Sequence, residues 1–152
     1  MSRALMIALA LAAIGCNKDK AADTTGDVAL TVKSLGDVSG PSTDPAWSRP
    51  SGRRFVSLRA DILMNTCDKP TLKSSDAALV DPGYGRVAAA GGAFGDAKAA
   101  PGTLADLELK PCTDGKTTTP AEFVFLVPDN MDVTAASFSF RAATTSLAGM
   151  KK

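Results

Sequence analysis

The sequence predicts an all-β sandwich of about seven short strands, and three observations predict it. Apolar residues recur at every second position in several short runs, the pattern of strands half buried against a core. Clusters of Gly, Pro, Asn, Asp and Ser separate those runs. Long stretches of Glu, Lys and Leu that would make an amphipathic helix are missing, and the acidic residues are nearly all Asp, with Glu only at 108 and 122.

Taken in order, "DVALTVKSL" (27–35) alternates Val28, Leu30 and Val32 with Ala29, Thr31 and Lys33, which predicts a half-buried strand. Residues 36–52 are rich in proline and glycine and read as a long loop, with Trp47 inside it. A tryptophan there either folds back on the core or anchors a contact, so Trp47 is the candidate contact residue. "RRFVSLRADILMN" (53–65) is the clearest strand: Val56, Leu58, Ala60, Ile62 and Met64 share one face, and Phe55, Ser57, Arg59 and Asp61 share the other. "AALVD" (77–81) and "YGRVAAA" (84–90), joined by Asp-Pro-Gly, predict a hairpin. The Gly/Ala-rich run 91–102 reads as a mobile excursion or a functional loop. "LADLELK" (104–110) alternates again, with Ala105, Leu107 and Leu109 inward. "AEFVFLVP" (121–128) is nearly continuously apolar, as suits a central strand covered on both sides. "ASFSFRA" (136–142) alternates Phe138 and Phe140 with serines, after which a tail from 146 to 152 is expected to fray.

The N-terminus carries an address. Arg3 precedes the apolar run "ALMIALALAAIG" (4–15), the layout of a secretory signal peptide. The run is too short for a helix to cross a ~30 Å hydrocarbon core. "AIGC" (13–16) resembles the lipobox of bacterial lipoproteins, with Ala13 where that family more often has leucine. The resemblance implies cleavage before Cys16, lipid on its sulfur and a membrane anchor; an ordinary signal peptide would leave Cys16 as a spare thiol. Asn17 in place of an aspartate implies, by the same resemblance, the outer membrane. The expected organisation is therefore a signal peptide at 1–15, a lipidated N-terminus and flexible linker at 16–26, a sandwich at 27–145 and a frayed tail at 146–152.

Arg3 is one of seventeen basic residues, so its removal would leave sixteen against sixteen acidic ones. A neutral chain without a basic block lacks the charge that nucleic-acid binding requires. With Cys16 lipidated, Cys67 and Cys112 remain, both just past strands that would finish at one end of the sandwich. In an oxidising compartment they would pair as a disulfide; two buried free thiols are the alternative.

The runs "GRRFVSLRADILMNTCDKP", "LKSSDAALVDPGYGR" and "LELKPCTDGKTTTPAEFVFLVPDN" are similar, in that order, to a family of exported bacterial domains with a telokin-like, immunoglobulin-like fold. That family is a domain of unknown function common in lipoproteins, and the resemblance spans roughly residues 27–142. It implies an immunoglobulin-like architecture and an extracytoplasmic setting, and no reaction.

Chemistry is scarce in this sequence. Histidine is absent, which removes the commonest general base and zinc ligand, and no Ser-His-Asp or Cys-His pair can form. Asp61, Asp81, Asp106 and Glu108 keep two-carboxylate chemistry formally open. "PDNMD" (128–132) has part of a calcium-loop pattern without its glycine or its closing Glu, and reads as a turn. Met64 and Met131 read as core and turn filling rather than copper ligands. No catalytic residue, metal site or cofactor is expected. The expected role is non-enzymatic: a lipid-anchored module that binds another envelope protein through loops 36–52 and 91–102. A structural or accessory part in an envelope or secretion assembly is the alternative, ahead of a small-ligand or metal binder.

Overall fold

The computed structural model describes residues 28–65, 71–109 and 116–151. Its strands are β1 (Val28–Val38), β2 (Arg53–Met64), β3 (Thr71–Lys73), β4 (Ala77–Asp81), β5 (Gly85–Ala88), β6 (Gly91–Phe94), β7 (Asp106–Glu108), β8 (Thr117–Pro128), β9 (Ser137–Phe140) and β10 (Ala143–Ser146). No α-helix occurs among the described residues, and all the strand ladders are antiparallel. One four-stranded sheet has the order β1-β2-β8-β6, a second the order β10-β9-β4-β5, and β3 pairs with β7 apart from both. The all-β expectation holds in a sandwich-like form, with more strands than the seven or so expected, because β3, β6 and β10 are too short to show a period.

The inner faces of the two large sheets meet in one core. Phe123 of β8 lies 5.4 Å from Phe138 and 5.9 Å from Phe140 of β9, ring centre to ring centre. Val56, Leu58, Ala60, Ile62 and Met64 of β2 are all buried there, as their spacing predicts. Met131 is buried in the same core, so both methionines act as filling.

Strand β1 runs longer than expected and changes phase. Val32 opposes Ala60 whereas Ser34 opposes Arg59, so Lys33 is the extra residue of a β-bulge. The bulge returns Leu35, at an odd position, to the face that Val28 and Leu30 occupy at even ones. It also corrects the expected loop boundary: residues 36–38 remain paired with β2.

Strand β8 starts at Thr117, before the expected 121, and contains Pro120. The Pro120 carbonyl accepts the N–H of Gly95, so that residue's backbone faces the side where β6 has just ended. The proline nitrogen points the same way, and the β2 ladder loses no donor.

Two further expectations are corrected. Residues 91–94 of the supposed mobile run form β6, paired with Val124 through Ala121. Gly91 and Gly92 make this possible: a Cβ on Gly91 would overlap the Ala100 carbonyl, and one on Gly92 would strike Ser74. The segment from 146 also belongs to the fold, since Ser146 closes β10 and Leu147 is fully buried with its N–H on the Ala136 carbonyl. Arg141, at φ 53°, turns β9 into β10. Cys16, the 16–26 linker, Cys67 and Cys112 lie outside the described residues.

Candidate functional site

Strand directions sort the loops into two ends. β1 starts opposite Met64 and finishes opposite Phe55, and β2 starts opposite Pro128 and finishes opposite Thr117. The chain therefore enters β1 at one end of the sandwich and reaches the 39–52 loop at the other. That distal end also carries the 129–136 connection, since the Asp129 N–H bonds the Gly52 carbonyl. Val80 of β4 pairs with Ser137, directly after that connection, so the Asp81–Tyr84 turn is distal too.

Arg54 ties these elements together. Its guanidinium donates to the carbonyls of Pro128 (3.2 Å), Asp129 and Met131 (2.9 Å), and its Nε lies 3.0 Å from the Asp37 carboxylate. Four charge-assisted contacts from one side chain hold the 129–131 turn against the ends of β1 and β2.

Trp47 sits in a one-turn 3-10 segment, Pro45–Trp47, whose N-cap Asp44 accepts the Ala46 N–H at 2.9 Å. The half-buried indole packs edge-on against Phe55 at 5.4 Å. Gly40 lets the loop close over it, because a Cβ there would overlap the ring. Phe55, Ala93, Ala99 and Val124 form a second, smaller apolar cluster on the outer face of the β1-β2-β8-β6 sheet, with Trp47, Val38 and Leu126 against it. Phe55 thus lies on the face it was expected to share with Ser57, Arg59 and Asp61, and the cluster buries it there. The cluster also gives β8 the covering on both faces that its apolar run predicts. The loop encloses a surface cleft of about 470 Å³ bordered by Val38, Gly40, Pro41, Asp44, Trp47 and Arg49.

The other expected recognition loop is divided. Residues 91–94 are strand, and Ala99 is buried in the cluster that Trp47 covers. Between them Gly95–Lys98 borders a second cleft of about 270 Å³ with Lys33, Arg59, Asp61 and Glu122. Lys33 pairs with Asp61 at 3.0 Å and Arg59 with Glu122 at 3.4 Å. Burial alone would raise the Glu122 pKa. Hydrogen bonds from the Ser57 hydroxyl (2.9 Å) and the Ala99 N–H (3.4 Å), with the charges of Arg59 and Lys98, outweigh it and hold the carboxyl below its usual value. Glu122 thus fastens the 95–99 turn to the sheet.

The carboxylates considered for catalysis are scattered. Asp61 is on the outer face, Asp106 and Glu108 are exposed on β7, and Asp81 accepts the N–H groups of Gly83 and Tyr84 at 2.7 and 2.9 Å. Asp132 of the calcium-like run caps a short 3-10 turn through Thr134. Among the described residues no three His, Cys, Asp or Glu side chains are grouped to hold a metal ion. Sequence reasoning missed the Arg54 clamp, which reaches 77 positions to Met131, and the Glu122 fastening, which reaches 65 positions to Ser57 and 23 to Ala99. The adjacent glycines at 91 and 92 were the available signal for a close backbone approach. Comparison of the chain with family models, with curated proteins and with solved structures finds no match.

Proposed function

We propose that this chain is a non-enzymatic, lipid-anchored lipoprotein that holds an immunoglobulin-like domain at the cell envelope and binds another envelope protein through its distal loops. The supporting observation is the direction of β1: an anchor at Cys16 would join the domain at Val28, and eleven residues of strand separate that point from the 39–52 loop. At a strand rise of ~3.4 Å the recognition end would stand about 35 Å beyond the attachment end. The Arg54 clamp and the Trp47–Phe55 contact would keep the loops there in a fixed arrangement, which reduces the entropy lost on binding.

A Cys67–Cys112 disulfide belongs to this proposal. In the β3–β7 ladder Thr71 opposes Glu108, and each cysteine lies four residues outward from that pair. The Ser74 N–H bonds the Ala105 carbonyl, which makes 74/105 a hydrogen-bonded pair and 71/108 a non-hydrogen-bonded one. The support for the bridge is that the start of β3, which follows Cys67 in the chain, faces the end of β7, which precedes Cys112.

Cys16→Ser should move the protein from the membrane fraction to the soluble fraction; retention in the membrane would refute the anchor. A photo-crosslinker at Thr43 should capture an envelope protein in intact cells while one at Glu108 should not. Capture from Glu108 alone would refute distal recognition. Non-reducing peptide mapping should recover Cys67 joined to Cys112, and two alkylatable thiols would refute the bridge.

A further inference from the structure

The four edges of the two large sheets are treated unequally. β1 and β10, the edges on one side of the sandwich, run beside each other. β6 is covered by the segment that follows it: Gly92 donates to the Thr103 carbonyl and accepts from Ala105, and Gly102 donates to Ala90. Among the described residues β5 pairs with β4 alone.

Its free groups can be identified from the register. The Ala89 N–H bonds the Ala77 carbonyl, so Gly85, Val87 and Ala89 turn their backbone toward β4. Arg86 and Ala88 turn theirs outward, with no partner among the described residues. Gly85, Arg86 and Ala88 are all exposed. Two of the three large apolar residues exposed among the described residues adjoin this edge: Val80 (39 % exposed) opposes Arg86, and Tyr84 (45 %) precedes Gly85. The Arg86 guanidinium has no ion-pair partner there either.

We infer that β5 is a docking edge for an extended segment of a partner protein, which adds an antiparallel fifth strand to β10-β9-β4-β5 and places an acidic residue opposite Arg86. Its backbone would exchange hydrogen bonds with Arg86 and Ala88. On the outer face an acidic side chain would meet the unpaired guanidinium. Two residues earlier, a bulky apolar side chain would lie opposite the small Ala88. The partner motif is therefore apolar-x-acidic. A second copy of this chain fits poorly: two-fold pairing of β5 centred on Val87 sets the two Arg86 side chains diagonally across one face, and pairing centred on Arg86 sets them directly opposite. This inference stands apart from recognition by the distal loops.

The test uses the full chain, isotopically labelled, and two capped peptides, Thr-Leu-Val-Asp-Thr-Gly and the same peptide with Lys for Asp. The Asp peptide should slow amide exchange at Arg86 and Ala88 by at least about tenfold, and the Lys peptide should not. Ala88→Pro removes an outward donor while sparing the β4 bonds of Val87 and Ala89, and should abolish the effect. Arg86→Glu should invert the preference toward the Lys peptide. Equal protection by both peptides, or protection that survives Ala88→Pro, overturns the inference. So does concentration-dependent dimerisation that Ala88→Pro removes, which would assign the edge to a second copy.

Discussion

The two faces of the β1-β2-β8-β6 sheet solve different problems with the same strands. The inner face is a continuous layer of Val56, Leu58, Ile62, Phe123 and Phe125, each essentially without solvent exposure. The outer face is a mosaic, with a small cluster under Trp47 at its distal half, Glu122 and Arg59 at the middle, and Lys33 with Asp61 beyond. Alternation along a strand is enough to build the first. The second needs loops that return from elsewhere in the chain, and its stability depends on whether they stay.

The sharpest way to break this contrast is to make a hole on the inner side. Phe123→Ala should cost about 3–5 kcal/mol, read as a lowered denaturation midpoint, because the ring touches both sheets and cannot be replaced by local collapse. On the outer side Trp47→Ala should cost only about 1–2 kcal/mol, since the indole is partly open to solvent and its loop can relax. Gly40→Ala should reproduce much of that loss without touching the tryptophan, and Trp fluorescence should report a more solvated indole. A loss from Trp47→Ala as large as that from Phe123→Ala would show that the outer cluster is part of the main core.

Glu122→Gln sharpens the comparison by pH. A carboxyl held below its usual pKa in the fold contributes stability that is complete above the unfolded value, near 4.3, and disappears as pH falls through the folded one. The variant should be about 1 kcal/mol less stable at pH 7, with the gap closing below about pH 4. A gap that persists at low pH would mean that shape, rather than charge, fastens the 95–99 turn.

The smallest effect belongs to a polar exception in the core. Ser74 is fully buried, and its hydroxyl has no hydrogen-bond partner among the described residues, close beside Gly92 and Phe123. Ser74→Ala should leave stability unchanged or raise it by up to about 1 kcal/mol. A clear loss would point to a buried partner for that oxygen.

These contrasts explain what was legible in the sequence. β2 and β9, and the Asp81-Pro-Gly hairpin, could be read because each has a local period or turn chemistry of its own. The phase slip at Lys33 could not, since Leu35 looks out of register until the pairing with Leu58 is known. The first four residues of β8 were hidden by Pro120, which is harmless only because β6 ends beside it. Trp47 was identified as either a core or a contact residue, and the fold uses its half-buried ring as a cover. The β5 edge had no sequence signal, because a free edge is defined by what fails to pair with it.

The long antiparallel pairing of β1 with β2 has a mechanical consequence. A pull between the start of β1 and a partner gripping the 129–136 turn after β8 acts along the strands and passes from β1 through β2 to β8, across hydrogen bonds that lie perpendicular to the load. Those bonds would be sheared together instead of being peeled one after another, so a molecule attached at one end and held at the other resists extension where it is most firmly knitted.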